Sequence, residues 1–344
     1  MTYARGRVAS GTAAVAALAA VTMLSVQGCG VGTSARAVPH AAQNLTIAEA
    51  RTVYQTYLTT SDAAAQQADP AAGTSDVADA QWEIVHAQYK ALTFHNIPVP
   101  RYEYGTPDFY VPAASGYPRW FVVAVPRRLL GSSASSSVTT LMLFDQPKAT
   151  SDWALHGTAA LSPGQHLPAI YRGSNGYAVP LASYDQSLML PPDVVAPTQA
   201  AVVDDGPASP AAAVVAAGAS TTGLYAQQSA YASGQSAKGL QYTWLMQGAS
   251  FPLFALRLTD GSALVLYGLY LNTTDEHPNL TVGSPIPVPA DFAPLLAAPT
   301  EIGFHAVYAN WTYQFATIDP PASAHNGKLT VIAATGGPSY GHAY

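Results

Sequence analysis

The spacing of hydrophobic residues along the chain changes from one continuous apolar run to helical and then to strand periodicity. The continuous run, residues 8–23, is rich in Ala and Val and follows two positive side chains, Arg5 and Arg7. A positively charged start before a short apolar run is typical of a secretory signal peptide. No later segment reaches the roughly eighteen uninterrupted apolar residues that predict a membrane-spanning helix. We therefore predict a signal peptide over residues 1–28.

Helical spacing begins at Thr46. Apolar residues recur at intervals of three and four positions as far as Leu58, which predicts an amphipathic helix that ends before the Asp69–Pro70 step. Thr46 and Glu49 have the spacing of a capping box, in which the Thr side chain accepts a hydrogen bond from the Glu amide and the Glu side chain can reach back. A second helix is predicted over about 75–92.

Strand periodicity begins near Arg101. Short runs of aromatic and β-branched residues, separated by Gly, Pro and Ser, predict an antiparallel sheet. Residues 120–125 give a strong strand pattern, and residues 138–144 are the predicted hairpin partner. Further strands are expected at 102–104, 109–111, 242–245, 304–315 and 329–332.

A second helical block, about 193–233, precedes the clearest hairpin in the chain. Apolar runs at 253–258 and 263–267 flank Asp260–Gly261, a dipeptide that favours the tight turn of a β-hairpin. This block and hairpin repeat the order of the first half of the chain, in which helices also precede strands.

The repeated order predicts an α+β fold of two tandem lobes, each made of helices and an antiparallel sheet. The lobes are residues 45–192 and residues 193–335, and residues 336–344 are predicted to be a tail. Helices followed by a curved antiparallel sheet also resemble the cone-shaped nuclear-transport-factor-2-like fold. That resemblance says little about function, because one fold supports many activities.

Cys29 is the single cysteine of the 344 residues and lies just after the apolar run. The sequence Val26–Cys29 (VQGC) resembles a bacterial lipobox, although Gln27 stands where a small residue is usual. The resemblance implies cleavage before Cys29, thioether lipidation with acyl chains such as palmitate, and a flexible tether over residues 29–44. A plain cleaved signal peptide and a buried free cysteine are the alternatives.

The charge balance excludes two classes of partner. The chain has 14 basic and 20 acidic side chains and a net charge of −6 at pH 7. An acidic protein lacks the basic surface that binds nucleic acid or anionic lipid headgroups. A single cysteine also excludes an intramolecular disulfide. The fold therefore depends on core burial, which 49% hydrophobic residues can supply.

Three segments carry a family resemblance: residues 45–51 (LTIAEAR), 117–122 (YPRWFV) and 251–265 (FPLFALRLTDGSALV). They resemble an actinobacterial family of secreted proteins and lipoproteins that is defined by a domain of unknown function. The resemblance covers about 45–335 and implies no known reaction, so no catalytic residue is carried over. The chain departs from the family at 72–75, where Ala-Gly-Thr-Ser stands in place of an expected Glu-x-Gly signature.

Two patterns typical of catalytic and metal sites lack the context that their chemistry needs. Residues 337–341 (GPSYG) match the Gly-x-Ser-x-Gly nucleophile elbow, but only three residues follow, and the elbow needs a helix and a histidine downstream. The histidine pairs His86/His95 and His156/His166 lack the i, i+4 spacing of a helical zinc site. We therefore predict no catalytic residue, no metal site and no cofactor.

Arg119 and Arg257 are the charged residues that the sequence offers as candidates for a functional role. Each interrupts an apolar hairpin strand near an aromatic–Pro corner. A charge in such a strand must reach solvent or a polar partner. Each side chain is therefore either directed outward or a polar anchor in a concave pocket of the sheet.

The leading interpretation is a surface lipoprotein, held outside the cytoplasmic membrane by its N-terminal lipid, that serves as a non-enzymatic binding or scaffold module. Its expected partner is a small molecule, a glycan or a protein, and not a nucleic acid; the ligand-binding residues are not predicted. Two alternatives stay open: a structural partner of a membrane complex, and a hydrolase or isomerase with a pocket assembled by the fold. A ligand pocket favours the first interpretation, an exposed apolar patch the second, and an acid–base pair in a pocket the third.

Overall fold

The structure is a computed structural model that describes residues 44–132, 137–278, 285–286, 288–296 and 305–343. The described residues belong to one compact unit. The predicted signal peptide, Cys29 and the tether up to residue 43 lie outside the described residues. Within the described ranges, no helix combines the length and the apolar character needed to cross a bilayer.

The fold is α+β, as the sequence predicts. In the first half, helices precede a set of mostly short strands. These elements are α1 (Ile47–Gln67), α2 (Pro70–Ser75), α3 (Asp79–Phe94), β1 (Tyr102–Tyr104), β2 (Asp108–Tyr110), β3 (Arg119–Leu129), β4 (Val138–Gln146) and β5 (Ala154–Leu161).

The second half repeats this order with longer strands. Among the described residues of this half, two short 3-10 turns accompany the regular elements, one before α5 and one before β9. The elements are α4 (Pro192–Asp205), the turn Pro210–Ala213, α5 (Thr222–Ser236), β6 (Gln241–Gly248), β7 (Phe254–Arg257), β8 (Ala263–Glu276), the turn Ala293–Leu295, β9 (Ala306–Asp319) and β10 (Thr330–Ala343).

The predicted Thr46 cap and the predicted hairpin turn are confirmed, whereas the return contact of the capping box, from Glu49 to the start of the helix, is not among the hydrogen bonds of the described residues. Thr46 Oγ1 caps α1 by accepting a hydrogen bond from Glu49 N at 3.0 Å. The Glu49 carboxylate accepts a hydrogen bond from Arg119 Nη1 at 3.0 Å, so this side chain ties α1 to the start of β3. The β7–β8 hairpin turns at Asp260 and Gly261, where Gly261 has a φ of +85° that favours glycine.

The ten strands form one sheet, and the pattern of strand pairing is the same when it is followed inward from either edge. β3, β4 and β5 are successive neighbours, and β1 and β2 both pair with β3; β8, β9 and β10 are likewise successive, and β6 and β7 both pair with β8. The last strand of each half, β5 and β10, join the two sets antiparallel at Ala160–Leu161 and Ala333–Ala334. The two halves of the chain therefore share one strand connectivity.

The connections from helix to strand repeat as well. Both α2 and the turn at 210–213 begin with Pro. Val77, after α2, pairs in parallel with Leu155, and Val215, after the turn, pairs in parallel with Leu329. The lobe boundary at residue 192 stays a prediction, because both halves contribute to one sheet and one compact unit. The likeness to the nuclear-transport-factor-2-like fold also stays a prediction.

The sheet folds back so that its two halves face each other. Odd-numbered residues from 121 to 125 of β3 pack beneath α1, and even-numbered residues from 120 to 124 pack against β7 and β8. Trp120 contacts Phe254 of β7, with ring centroids 4.8 Å apart. In β8, odd-numbered residues from 263 to 271 pack beneath α4 and α5. Because strand side chains alternate between faces, these contacts build four layers in the order helix, sheet, sheet, helix.

The C-terminal segment differs from its prediction. The sequence predicts a tail at 336–344, but β10 continues to Ala343 and pairs with β9 along its length. Gly and Pro are typical of turns and loops, but here they lie in a strand. The register shifts next to Pro338, and the bulge accommodates its missing amide hydrogen. Ser339 Oγ donates to Asn310 O at 3.1 Å. The Gly-x-Ser-x-Gly match thus lies in a continuous strand and has no elbow.

Candidate functional site

A cavity of about 480 Å³ lies between the helices α1 and α3 and the strands β1, β3 and β10. This volume falls in the range of small-molecule sites, about 300–1,000 Å³. Its walls combine apolar and polar side chains, which include Tyr57, Ser61, Ala65, Ile84, Val85, Gln88, Tyr102, Tyr104, Arg127 and Leu295.

A bidentate ion pair holds α1 over β1. Arg101 Nε and Nη2 donate to the two carboxylate oxygens of Asp62 at 2.7 and 2.8 Å. The Arg101 guanidinium lowers the pKa of Asp62, so the carboxylate stays ionised at neutral pH. On the cavity side of α1, Ser61 and Ala65 present short side chains. Space therefore remains between the helix and the sheet.

Two carboxylates of α3 fix the opposite wall. Glu83 accepts hydrogen bonds from Tyr270 of β8 and Thr312 of β9, both at 2.6 Å. Asp79, the first residue of α3, contacts His156 of β5. Because each contact joins α3 to a different strand, the wall that α3 forms is held at two points.

One end of the cavity presents hydrogen-bond donors. The Arg127 guanidinium lies over the Tyr102 ring, 4.4 Å from its centroid, and Tyr104 is the register partner of Arg127 between β1 and β3. Burial raises the pKa of Tyr57 and of Tyr104 above the usual value of 10.0. Both hydroxyls therefore keep their protons at neutral pH, and this end offers a guanidinium and two phenols.

The remainder of the lining is less charged. Ile84 and Val85 of α3 and Leu295 of the second 3-10 turn contribute apolar surface. Asp291, just before that turn, is exposed, and His95 follows the end of α3. The cavity is therefore amphipathic, with donors at the end where β1 and β3 meet α1.

A second polar cluster lies at the start of α3. His156 occupies a bulge of β5, where the register with β4 shifts. Its Nδ1 is 2.7 Å from Asp79 Oδ2, and its Nε2 contacts Asp145 Oδ1. The side chains of His156 and Asp145 are 6% and 3% exposed. Burial by itself lowers the pKa of His156, but the hydrogen bonds to Asp145 and Asp79 raise it to about 9.

This geometry suits a structural role for His156 better than a role in proton transfer. A protonated imidazole with a carboxylate at each ring nitrogen has no free nitrogen to accept a proton from a substrate. The cavity beside His156 measures about 30 Å³, which holds only one or two water molecules. The cluster therefore joins the start of α3 to β4 and β5.

The His156 cluster predicts a loss of stability at alkaline pH. The folded-state pKa of about 9 exceeds the ordinary 6.5, so the stabilisation is fully present below about pH 6.5 and is lost as the pH rises through about 9. A shift of this size corresponds to about 3 kcal/mol. Urea unfolding of the wild type and His156→Gln between pH 6 and pH 10 tests this. The wild type is expected to lose stability more steeply, and parallel curves would contradict the prediction.

Arg119 is a structural contact and does not line the cavity. Its Nε donates to Gln146 Oε1 at 2.9 Å and its Nη1 to Glu49 Oε1 at 3.0 Å. Its guanidinium also lies 5.4 Å from the ring centroids of Tyr117 and Trp153. These contacts use the donors and the face of the guanidinium to join α1 to β3 and β4.

Arg257 has a similar role in the other half of the chain. It donates to Gly261 O at 2.9 Å, to Ser187 Oγ at 2.7 Å and to Asp185 Oδ2 at 3.2 Å. Arg257 thus ties the β7–β8 turn to the segment before α4, and it also lies outside the lining of the cavity.

Arg127 is the strand arginine that lines the cavity, and inspection of the sequence missed it. A signal was present, because strand side chains alternate between the two faces of a sheet. Odd-numbered residues from 121 to 125 face α1, and continuation of that alternation places Arg127 on the same face. The partners of His156, by contrast, are 11 and 77 residues away in sequence, and no local spacing predicts them.

Comparison with known proteins identifies relatives but no reaction. Residues 41–337 match the family described as Domain of unknown function (DUF8094). A protein of Streptomyces avermitilis named "Uncharacterized lipoprotein" is 27% identical over 285 residues, which cover 81% of each chain. No solved structure matches the chain. The resemblance predicted from the sequence is therefore confirmed.

Proposed function

The chain belongs to the family described as Domain of unknown function (DUF8094), and we propose that it is a lipid-anchored binding protein outside the cytoplasmic membrane. Its ligand occupies the cavity between α1, α3 and β10. The protein holds this ligand without catalysing a reaction.

Two observations support the lipid anchor. The sequence Val26–Cys29 resembles a lipobox directly after an apolar run, and the relative from Streptomyces avermitilis is named a lipoprotein. The acidic balance of 20 carboxylates against 14 basic side chains gives no electrostatic attraction to anionic headgroups. Acyl chains on Cys29 would therefore carry the membrane affinity.

The cavity is the observation that carries the binding proposal. It has a volume of about 480 Å³, and its walls are fixed by the Arg101–Asp62 pair and by the Glu83 hydrogen bonds. A pre-formed space with an apolar lining and a few converging polar groups is typical of small-molecule sites.

The contacts of His156 argue against His156 itself as a catalytic residue. A hydrolase or isomerase needs an acid–base group beside a space that admits a substrate. His156 has a carboxylate at each ring nitrogen, and the adjoining space of about 30 Å³ excludes anything larger than water.

A substitution that fills the cavity tests the proposal. Ala65 lines the cavity on α1, and Ala63 is exposed two positions earlier on the same helix. The neutral dye N-phenyl-1-naphthylamine, which fluoresces in apolar surroundings, is titrated into the mature chain from residue 29 carrying Cys29→Ser, so that no detergent is needed. Ala65→Trp is expected to weaken dye binding at least tenfold, because the indole occupies the space of the ligand.

Ala63→Trp is the matched control, and its dye affinity is expected to stay within about twofold of the parent, because this side chain points to solvent. Thermal melting of both variants verifies that they fold. Absence of dye binding to the parent chain, or equal affinity in Ala65→Trp and Ala63→Trp, would contradict the proposed binding site.

A further inference from the structure

Arg127 differs in its charge environment from the arginines that form ion pairs. Four other arginines form ion pairs with carboxylates: Arg101 with Asp62, Arg119 with Glu49, Arg128 with Glu103 and Arg257 with Asp185. Arg127 forms no such pair with any residue that the structure describes, although it is only partly exposed. A partly buried cation without a counter-ion is unfavourable, and an anion that enters the cavity would relieve this cost.

The surroundings of Arg127 leave donors for such an anion. The Tyr102 ring covers the face of the guanidinium at 4.4 Å, and a stacked guanidinium keeps its N–H groups along its edge. Tyr104 is the register partner of Arg127, and its hydroxyl interacts with the guanidinium, which has five donors in all. Tyr57 and Ser61 of α1 add two hydroxyl groups to the lining.

The rest of the cavity lining indicates the chemistry of the part of the ligand that does not contact Arg127. Ile84, Val85 and Leu295 line it with apolar surface, which suits a hydrophobic body. Asp291 lines the cavity just before the second 3-10 turn, and that turn packs on α3 and β10. A carboxylate there repels a second negative group, so a ligand with one anionic head fits best.

We propose that the cavity takes an amphipathic anion, whose single oxyanion group pairs with Arg127 and whose apolar body lies between α1, α3 and Leu295. This inference rests on the proposed binding function and adds the chemical class of the ligand. The oxyanion is a carboxylate, sulfonate or phosphate, because all of these present oxygens to the N–H groups of a guanidinium.

Two dyes with the same apolar body test this inference. 8-Anilinonaphthalene-1-sulfonate carries one sulfonate on the framework of N-phenyl-1-naphthylamine, so their affinities differ through the anionic group. The mature chain with Cys29→Ser is expected to bind the sulfonate dye about tenfold more tightly than the neutral dye, the gain typical of a hydrogen bond to a charged group. Ala65→Trp is expected to weaken the binding of both dyes.

Arg127→Gln measures the contribution of the charge to dye binding separately from the contribution of the cavity. This variant is expected to weaken binding of the sulfonate dye about tenfold and to change the affinity for the neutral dye by less than about twofold. Arg128→Gln is the matched control, because Arg128 is the next residue of β3 and pairs with Glu103 at the exposed surface. It is expected to leave both affinities unchanged.

The outcomes distinguish the inference from the function on which it rests. Equal affinity of the wild-type cavity for the two dyes, or equal loss of both in Arg127→Gln, would overturn the anion preference and leave the binding function intact. Failure of both dyes to bind at a site sensitive to Ala65→Trp would overturn the binding function itself. The comparison of the two dyes on the unaltered cavity decides the matter even where Arg127→Gln does not fold.

Discussion

Replacing Cys29 with Ser is expected to move the protein from the membrane fraction to the soluble fraction and to remove the mass of its acyl groups. Each buried methylene contributes about 0.8 kcal/mol to membrane binding, and two or more acyl chains give stable anchoring. Loss of the thiol removes the attachment point of the diacylglyceryl group, and Cys29 is the single cysteine of the chain. Fractionation of expressing cells and intact mass of the purified protein measure both effects.

Ser34→Ala is the control for this experiment, because it changes a hydroxyl of the predicted tether and leaves the lipobox intact. It is expected to stay in the membrane fraction with its lipid mass. A wild-type protein that is cleaved, carries no lipid and accumulates in the medium would contradict the anchor. The binding proposal would then apply to a freely secreted protein.

Replacing Asp145 with Asn is expected to lower the free energy of unfolding at pH 7 by about 3 kcal/mol. The substitution keeps the shape of the side chain but removes the charge that faces the His156 Nε2. The buried imidazolium then keeps only Asp79, whose side chain is 37% exposed. Equilibrium unfolding in urea measures the loss, and the pKa of His156 is expected to fall towards its ordinary value.

Asp79→Asn is a control for which a smaller loss of unfolding free energy is expected. Its carboxylate is partly exposed and screened, so its removal is expected to cost about 1 kcal/mol or less. Asp79 has a φ of +48°, which Asn tolerates, so backbone strain does not add to the effect.

A double-mutant cycle isolates the pair of Asp145 and His156. In a His156→Gln background, Asp145→Asn is expected to cost much less than in the wild type, because the charge that it compensates is gone. An equal loss in both backgrounds would contradict the ion pair.

The local elements follow from the sequence because short-range chemistry determines them. Thr46 caps α1 through a hydrogen bond to an amide three residues away, and Asp260–Gly261 turns the β7–β8 hairpin because Gly261 adopts a positive φ. These features depend on neighbours along the chain, so the sequence predicts them in place.

The features that the sequence does not predict correctly are those that depend on contacts between distant segments of the chain. The Gly and Pro residues of 336–344 predict a tail, but pairing with β9 outweighs their weak strand propensity. Arg119 and Arg127 both lie on β3, and only the surrounding contacts decide that the first joins helix to sheet while the second lines a cavity. The cavity itself lies between α1, α3 and β10, which the sequence separates widely.

A crystal structure of the mature chain with Cys29→Ser, grown with 8-anilinonaphthalene-1-sulfonate, tests the central claim most directly. We expect density for the dye between α1, α3 and β10, with the sulfonate beside the Arg127 guanidinium. Density for the dye at another site, with the cavity of about 480 Å³ empty at a concentration that saturates the fluorescence, would contradict the claim.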